Sequence, residues 1–282
     1  MEKIQYLDLA DCVRLTNGEI EVVVTTGVGP RILAYNFTGG ENALGWHPQA
    51  KIPTELGEYN IYGGHRLWIA PEIVPRTYAP DSLPVEYFFD AAENSLRLVQ
   101  PVEPVSRTQK EMTVKLEKTG SGVSINHKIT NVGSTEIELA AWALTIMRGG
   151  GTCEIPNEPF APYSHETLLP VRNLTVWAYT DFSDSRWSFD REFIRLRADA
   201  HKPEPQKIGV LNKQGWAKYR LEDVIFTKYF AFEETAVYPD MNSNTEIYTA
   251  GSFVELESLA PLRKLKPGEA TEHAERWQLE RR

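Results

Sequence analysis

The sequence predicts an all-β protein, and three observations lead there. Short runs of alternating, often β-branched residues recur along the chain. Clusters of Gly, Pro, Asn and Ser separate them at roughly 8- to 12-residue spacing. No segment carries the sustained 3.6-residue periodicity of a long helix. Many short strands so spaced make a sandwich or a barrel. With 282 residues the chain is long enough to bury roughly three quarters of its unfolded surface. A single domain spanning 1–282 is expected.

The elements follow in order. Ile20 to Thr26 (IEVVVTT) is β-branched and follows the tight-turn signal Asn17-Gly18. Ser95 to Gln100, Met112 to Leu116, Val123 to Thr130 and Glu136 to Leu144 all alternate. Thr119-Gly120-Ser121-Gly122 and Asn131-Val132-Gly133-Ser134 read as turns, so the last three runs predict an antiparallel meander. Glu154 to Pro170 is rich in Pro and predicts a long loop, and Arg186 to Arg197 predicts a short helix. Ala200 to Gln206 is broken by Pro. Tyr229 to Glu233, Asn242 to Tyr248, Ser252 to Leu259 and Glu269 to Leu279 complete the strands.

Charge narrows the partners. Lys+Arg number 30 against Asp+Glu 39, for a formal charge of -9. Nucleic acid is excluded, because phosphate neutralisation needs clustered Lys and Arg. The one basic cluster, Arg263-Lys264-Leu265-Lys266, reads as a solvated turn. Cys12 and Cys153 imply no disulfide framework. The opening MEKIQYLDLADCV lacks a basic start and apolar run, and no stretch has 18 consecutive apolar residues. No membrane contact and a cytoplasmic location are expected.

Three segments carry candidate chemistry. In Phe253 to Leu259, a period of two puts Glu255 and Glu257 on one face, about 6–7 Å apart at Cα. Like charges so placed repel, which raises one pKa if the face is buried. The preceding run places Asn242, Asn244, Glu246 and Tyr248 on one face; Asn is a poor strand former, so its amides suggest hydroxyl recognition. Tyr62-Gly63-Gly64-His65-Arg66-Leu67-Trp68 bends at two glycines into a strand. There His65 offers a proton near neutrality, Arg66 a grip on a hydroxyl or carboxylate, and Trp68 a stacking face.

Other signals point nowhere. Arg148-Gly149-Gly150-Gly151 lacks phosphate-loop spacing. The six His lie at 47, 65, 127, 165, 201 and 273, with no metal-ligand motif, so no metal and no cofactor are expected.

The chain resembles the galactose mutarotase (aldose 1-epimerase) superfamily. Ile129-Thr130-Asn131-Val132-Gly133 is similar to the family's Thr-Asn-x-Gly turn. Leu256-Glu257-Ser258-Leu259-Ala260-Pro261 and Leu265-Lys266-Pro267-Gly268-Glu269 are similar to its C-terminal strand and Pro-Gly-Glu turn. The resemblance covers about half the chain and implies a β-supersandwich of two large antiparallel sheets. It also implies that Glu257 is the base and Glu255 its neighbour, with His65-Arg66 in the place of the family's Asn-Arg. The family's acid His falls on Thr145 here, so either His65 has taken that role or the chain does not catalyse mutarotation.

The leading expectation is interconversion of the anomers of an aldose. Glu257 takes the anomeric proton, His65 protonates the ring oxygen, and Arg66, Asn242, Asn244, Glu246 and Glu255 hold hydroxyls over Trp68. Each proton transfer is worth roughly 10²–10⁴-fold. The rivals are a sugar-binding protein without turnover and a glycoside hydrolase or lyase acting on an oligosaccharide. Two acids on one strand fit the last poorly, since such a pair flanks the scissile bond.

Overall fold

A computed structural model describes the whole chain, Met1–Arg282. Two large antiparallel sheets pack face to face. The first runs Glu2–Tyr6, Leu9–Thr16, Ile20–Thr25, Ile32–Phe37, His65–Ala70, Ile137–Met147, Val254–Leu259, Thr245–Thr249, Gln206–Val210 and Leu174–Val176. Arg263–Leu265 pairs with the outer end of Ile137–Met147. The second sheet is centred on Val224–Phe230, Ala270–Arg281, Val123–Asn131 and Thr108–Leu116. No helix is long and apolar enough to cross a membrane.

The sheets meet through the inward half of each alternating strand. Val22, Val24 and Tyr35 from the first pack against Val114, Phe226 and Trp277 from the second. The Tyr35 ring lies 6.1 Å from Phe226 and 5.7 Å from Trp277. Both cysteines are buried and unpaired.

Most predicted strands are present, but their partners differ. Thr108–Leu116 and Val123–Asn131 form the expected hairpin. Ile137–Met147 does not complete a meander with them; it crosses to the first sheet between His65–Ala70 and Val254–Leu259. Its sequence explains the crossing, because from Leu139 to Met147 every residue is buried. A strand apolar on both faces belongs at the covered centre of a sheet.

The helix expected over Arg186 to Arg197 is a hairpin of Trp187–Phe189 and Phe193–Arg197. Asp190 Oδ1 accepts from the amides of Glu192 and Phe193 and closes its turn. Ile194 and Leu196 point inward while Arg195 and Arg197 do not, which is a strand's period of two. The strand expected at Tyr229 to Glu233 lies earlier, at Val224–Phe230.

Two segments that carry the family resemblance are bonded to each other. Asn131 Oδ1 accepts from the Gly133 amide, and its Nδ2 donates to the carbonyls of Thr135 and Leu265. The Asn131 backbone also pairs with Glu269 and Gly268. The buried amide thus ties the Asn-Gly turn to the Pro-Gly-Glu turn.

A separate hairpin, Trp46–Thr54 with Gly57–Gly63, stands over the outer face of the first sheet. It leads directly into His65–Ala70 through Gly63 and Gly64, both at positive φ (109° and 65°). A Cβ on Gly63 would lie 2.2 Å from the Gly45 carbonyl oxygen, and one on Gly64 2.1 Å from that of Ile32. Only glycine fits this bend.

Candidate functional site

Alternation sorts the residues of the first sheet onto two faces. On His65–Ala70, Arg66 and Trp68 face outward, while His65 and Leu67 face the second sheet. The neighbouring strands add Trp142, Glu255, Tyr248 and Lys207 to the outer face. Ile52 and Ile61 of the hairpin close one side, and Tyr78 and Tyr179 stand at the others. They enclose a cavity of about 250 Å³. That is smaller than the roughly 300–1,000 Å³ of sites for drug-sized ligands, a scale for one small ring.

Two charged groups are set into this aromatic wall. The Arg66 guanidinium lies 4.3 Å from the centre of the Trp68 ring and donates through Nη2 to Glu255 Oε1 at 3.0 Å. Its Nε and Nη1 have no partner within the protein although buried. Buried donors without acceptors are costly, so a ligand acceptor at this wall would relieve them.

Lys207 forms the other. Its Nζ lies 2.7 Å from Glu246 Oε2 and donates to Glu257 Oε2 at 3.1 Å. The rings of Trp142 and Trp177 are each 4.8 Å from the ammonium. Burial pulls the Lys207 pKa down, but Glu246 and Glu257 outweigh it and hold it well above the ordinary lysine value. Burial pushes both carboxyls up, since one ammonium cannot compensate two buried anions. Glu257 also accepts from Trp142 Nε1 at 2.8 Å, a donor Glu246 lacks. The upward shift is the larger at Glu246, so of the two carboxyls it holds a proton the more readily.

The sequence-predicted site divides accordingly. Arg66, Trp68 and Glu255 line the cavity. Glu246 and Glu257 share their face but are wholly buried beneath it, reaching the cavity through Lys207. His65 does not meet them. Its ring is enclosed between the sheets, with Nδ1 2.9 Å from Thr145 Oγ1 and Nε2 2.9 Å from His127 Nε2. An imidazole on the core face cannot donate to a ligand on the other. Thr145, opposite His65 in register, also lies inside.

Asn242 and Asn244 are likewise engaged elsewhere. Asp240, Met241 and Asn242 have positive φ, so the strand begins only at Thr245. Asn242 Oδ1 caps the Tyr238 amide, and the Asn244 side chain pairs with the Asn212 backbone through both its atoms. Their amides shape a turn.

Tyr248, on the predicted polar face with Glu246, lines the cavity, but Lys207 and Trp142 are not among the sequence-predicted site residues. A lysine alternating into Gln206–Val210 was the available signal, obscured by the Pro-rich run before it. Trp142 was hidden in a strand apolar on both faces.

The interior cluster around His65 is a closed polar network. Glu275 accepts from Lys228 at 3.0 Å and from Trp277 Nε1 at 2.9 Å, and Ser258 bridges it to His273. Ligand-capable atoms of His65, His127 and Glu275 lie within 4.8 Å of one another. The Lys228 ammonium already balances Glu275 there, so these residues do not fit an added dication.

No protein-family model and no curated protein matches this sequence. Solved structures do match in fold. The Slr1438 protein from Synechocystis sp. PCC 6803 aligns over 100% of both chains at 12% identity, with a TM-score of 0.62. A galactose mutarotase-like protein from Lactobacillus casei aligns over 95% of this chain and 100% of its own, at 10% identity and a TM-score of 0.59. A galactose mutarotase related enzyme from Lactobacillus acidophilus aligns over 95% and 97%, at 9% identity and a TM-score of 0.57. Likeness at this identity is likeness of architecture: the chain has the galactose mutarotase-like β-supersandwich fold.

Proposed function

We propose that this protein binds one sugar ring in the outer-face cavity and interconverts its anomers. The observation that carries the reading is a small aromatic-walled cavity holding a carboxylate, Glu255, beside unpartnered donors of Arg66. Aromatic faces suit the C–H face of a sugar, and a paired Arg and Glu offer a donor and an acceptor to adjacent hydroxyls. The names of the Lactobacillus proteins that share the fold agree with a sugar ligand.

Within this reading Glu255 is the base rather than Glu257, because it lines the cavity beside Arg66, whereas Glu72, which also lines it, accepts from Tyr78. It takes the proton from the anomeric hydroxyl as the ring opens. The aldehyde rotates, and the ring closes by the reverse steps.

Binding without turnover is the second reading, and one observation favours it: no imidazole lines the cavity. NMR exchange spectroscopy between the anomers of D-glucose, D-galactose and D-xylose tests the first. Exchange above the spontaneous rate, lost in Glu255→Gln, supports it. Binding of a sugar with exchange at the spontaneous rate supports the second.

A further inference from the structure

We infer that Lys207 is the proton donor of this site, its ammonium protonating the ring oxygen of a bound sugar while Glu255 takes the anomeric proton. This rests on the sugar reading above and supplies the acid that His65 cannot.

The cavity wall leaves few candidates. A guanidinium does not serve as a proton donor. The Trp68 indole already donates to Tyr59 Oη at 2.7 Å and the Trp142 indole to Glu257. The Tyr78 hydroxyl donates to Glu72. Burial pushes the Tyr248 phenol up to about 12 and drives Tyr78 and Tyr179 in the same direction. His47 lies outside the lining, its half-buried ring 4.8 Å from Phe253. Glu72 also lines the cavity but its carboxyl accepts from Tyr78, which leaves Lys207 as the wall group with a transferable proton.

Its surroundings suit the task. A lysine that gave up a proton in a closed apolar wall would leave Glu257 as a buried, uncompensated anion. Here the Glu246 carboxyl stands 2.7 Å from Nζ, and a proton held there restores the ammonium as the lysine's own leaves. Protons and electrons balance. The anomeric O–H proton moves to Glu255, the C1–O5 electron pair moves to O5, and O5 takes a proton from Lys207, which Glu246 replaces. Ring closure returns each proton by the same path. Glu246 and Glu257 are positioning residues, since neither touches the ligand.

The test compares wild type with Lys207→Arg and Lys207→Gln, reading exchange by NMR and binding by quenching of the wall tryptophans with D-glucose, D-galactose and D-xylose. Arginine keeps the charge between Glu246 and Glu257 but does not release its proton. The expected result is unchanged affinity in Lys207→Arg with exchange reduced about 10²- to 10⁴-fold. Wild-type exchange should not fall as pH rises through about 6.5, whereas a donor with an ordinary imidazole pKa would lose activity there. Lys207→Gln should lose exchange equally in its folded fraction, monitored by circular dichroism.

Exchange in a folded Lys207 variant at the wild-type rate, or a rate falling through pH 6.5, overturns the assignment. A wild type that binds sugar without exchange overturns it too, while leaving the cavity reading intact. A wild type that binds none of the sugars sinks that reading for this panel, and the donor role with it.

Discussion

The guanidinium of Arg66 reaches across an intervening strand to Glu255. Arg66 belongs to His65–Ala70 and Glu255 to Val254–Leu259, and Ile137–Met147 lies between them in the sheet. The 3.0 Å contact passes over the outer face, with the two side chains only 2% and 11% exposed. The pair thus spans three strands of the cavity wall and fixes the carboxylate toward the ligand.

Breaking this pair should cost both stability and affinity. Arg66→Met leaves Glu255 largely buried beside apolar neighbours, and removing one partner of a buried pair costs about 3–5 kcal/mol. A loss near the lower figure is expected, because Glu255 keeps some contact with solvent. Urea unfolding measures it. Sugar affinity of the folded variant should fall as well, and unchanged affinity would remove Arg66 from the site.

The interior imidazoles should make the fold sensitive to acid. Burial, opposed in part by Glu275, brings the pKa of His127 down to about 3 and that of His273 to about 4, and His65 well down. An unfolded histidine titrates near 6.5. Between these values the unfolded chain binds more protons than the folded one, so stability is full above about pH 6.5 and is lost as pH falls toward 4 and 3. Urea midpoints at pH 7, 6, 5 and 4 should therefore decline. His127→Gln should flatten the slope by about 1.4 kcal/mol per pH unit, one proton's share. An unchanged slope would mean that His127 is already charged in the fold.

Local pattern and long-range pairing were legible to different degrees. The shared face of Glu255 and Glu257, the glycine bend and the final strand all follow from a period of two and from turn chemistry. Which face of His65–Ala70 held the site was not legible, because both faces are buried and both carry polar groups. A histidine inside a sandwich is expected only once Glu275 and Lys228, more than 150 residues away, are known to meet it. Asn242 and Asn244 misled for a local reason. Their alternation is real in sequence, but left-handed backbone from Asp240 to Asn242 delays the strand.

The glycine bend yields a further expectation. Gly64→Ala would drive a methyl to 2.1 Å from a backbone oxygen that cannot move without the sheet. Gly120 also has positive φ, at 74°, but nothing lies within 4 Å of a Cβ there. Gly120→Ala should cost about 1–2 kcal/mol from backbone conformation alone, and Gly64→Ala about 3 kcal/mol or more. Thermal unfolding of the two variants checks the order. Equal losses would mean that the hairpin leading into His65 yields easily.

Glu246 and Glu257 should behave as alternatives for one charge. A raised carboxyl pKa means that folding at pH 7 takes up a proton the unfolded chain has released, a cost Glu246→Gln does not carry, so this variant should be no less stable than wild type at pH 7. In Glu257→Gln the ammonium turns to Glu246, which then ionises, so this variant should lose only about 1 kcal/mol. The double variant strands Lys207 in the wall without an anion and should lose about 3–5 kcal/mol. The coupling in a double-mutant cycle, about 1–3 kcal/mol, is the signature of a shared proton. The pH sign is distinct as well. A carboxyl whose folded pKa is raised contributes stability below the ordinary Glu value that is lost as pH rises through the folded one. Glu246→Gln should remove that loss while leaving the acid limb, set by the interior imidazoles, in place. Additive single and double effects would mean that both carboxylates are charged at once, and that Lys207 has no proton reservoir behind it.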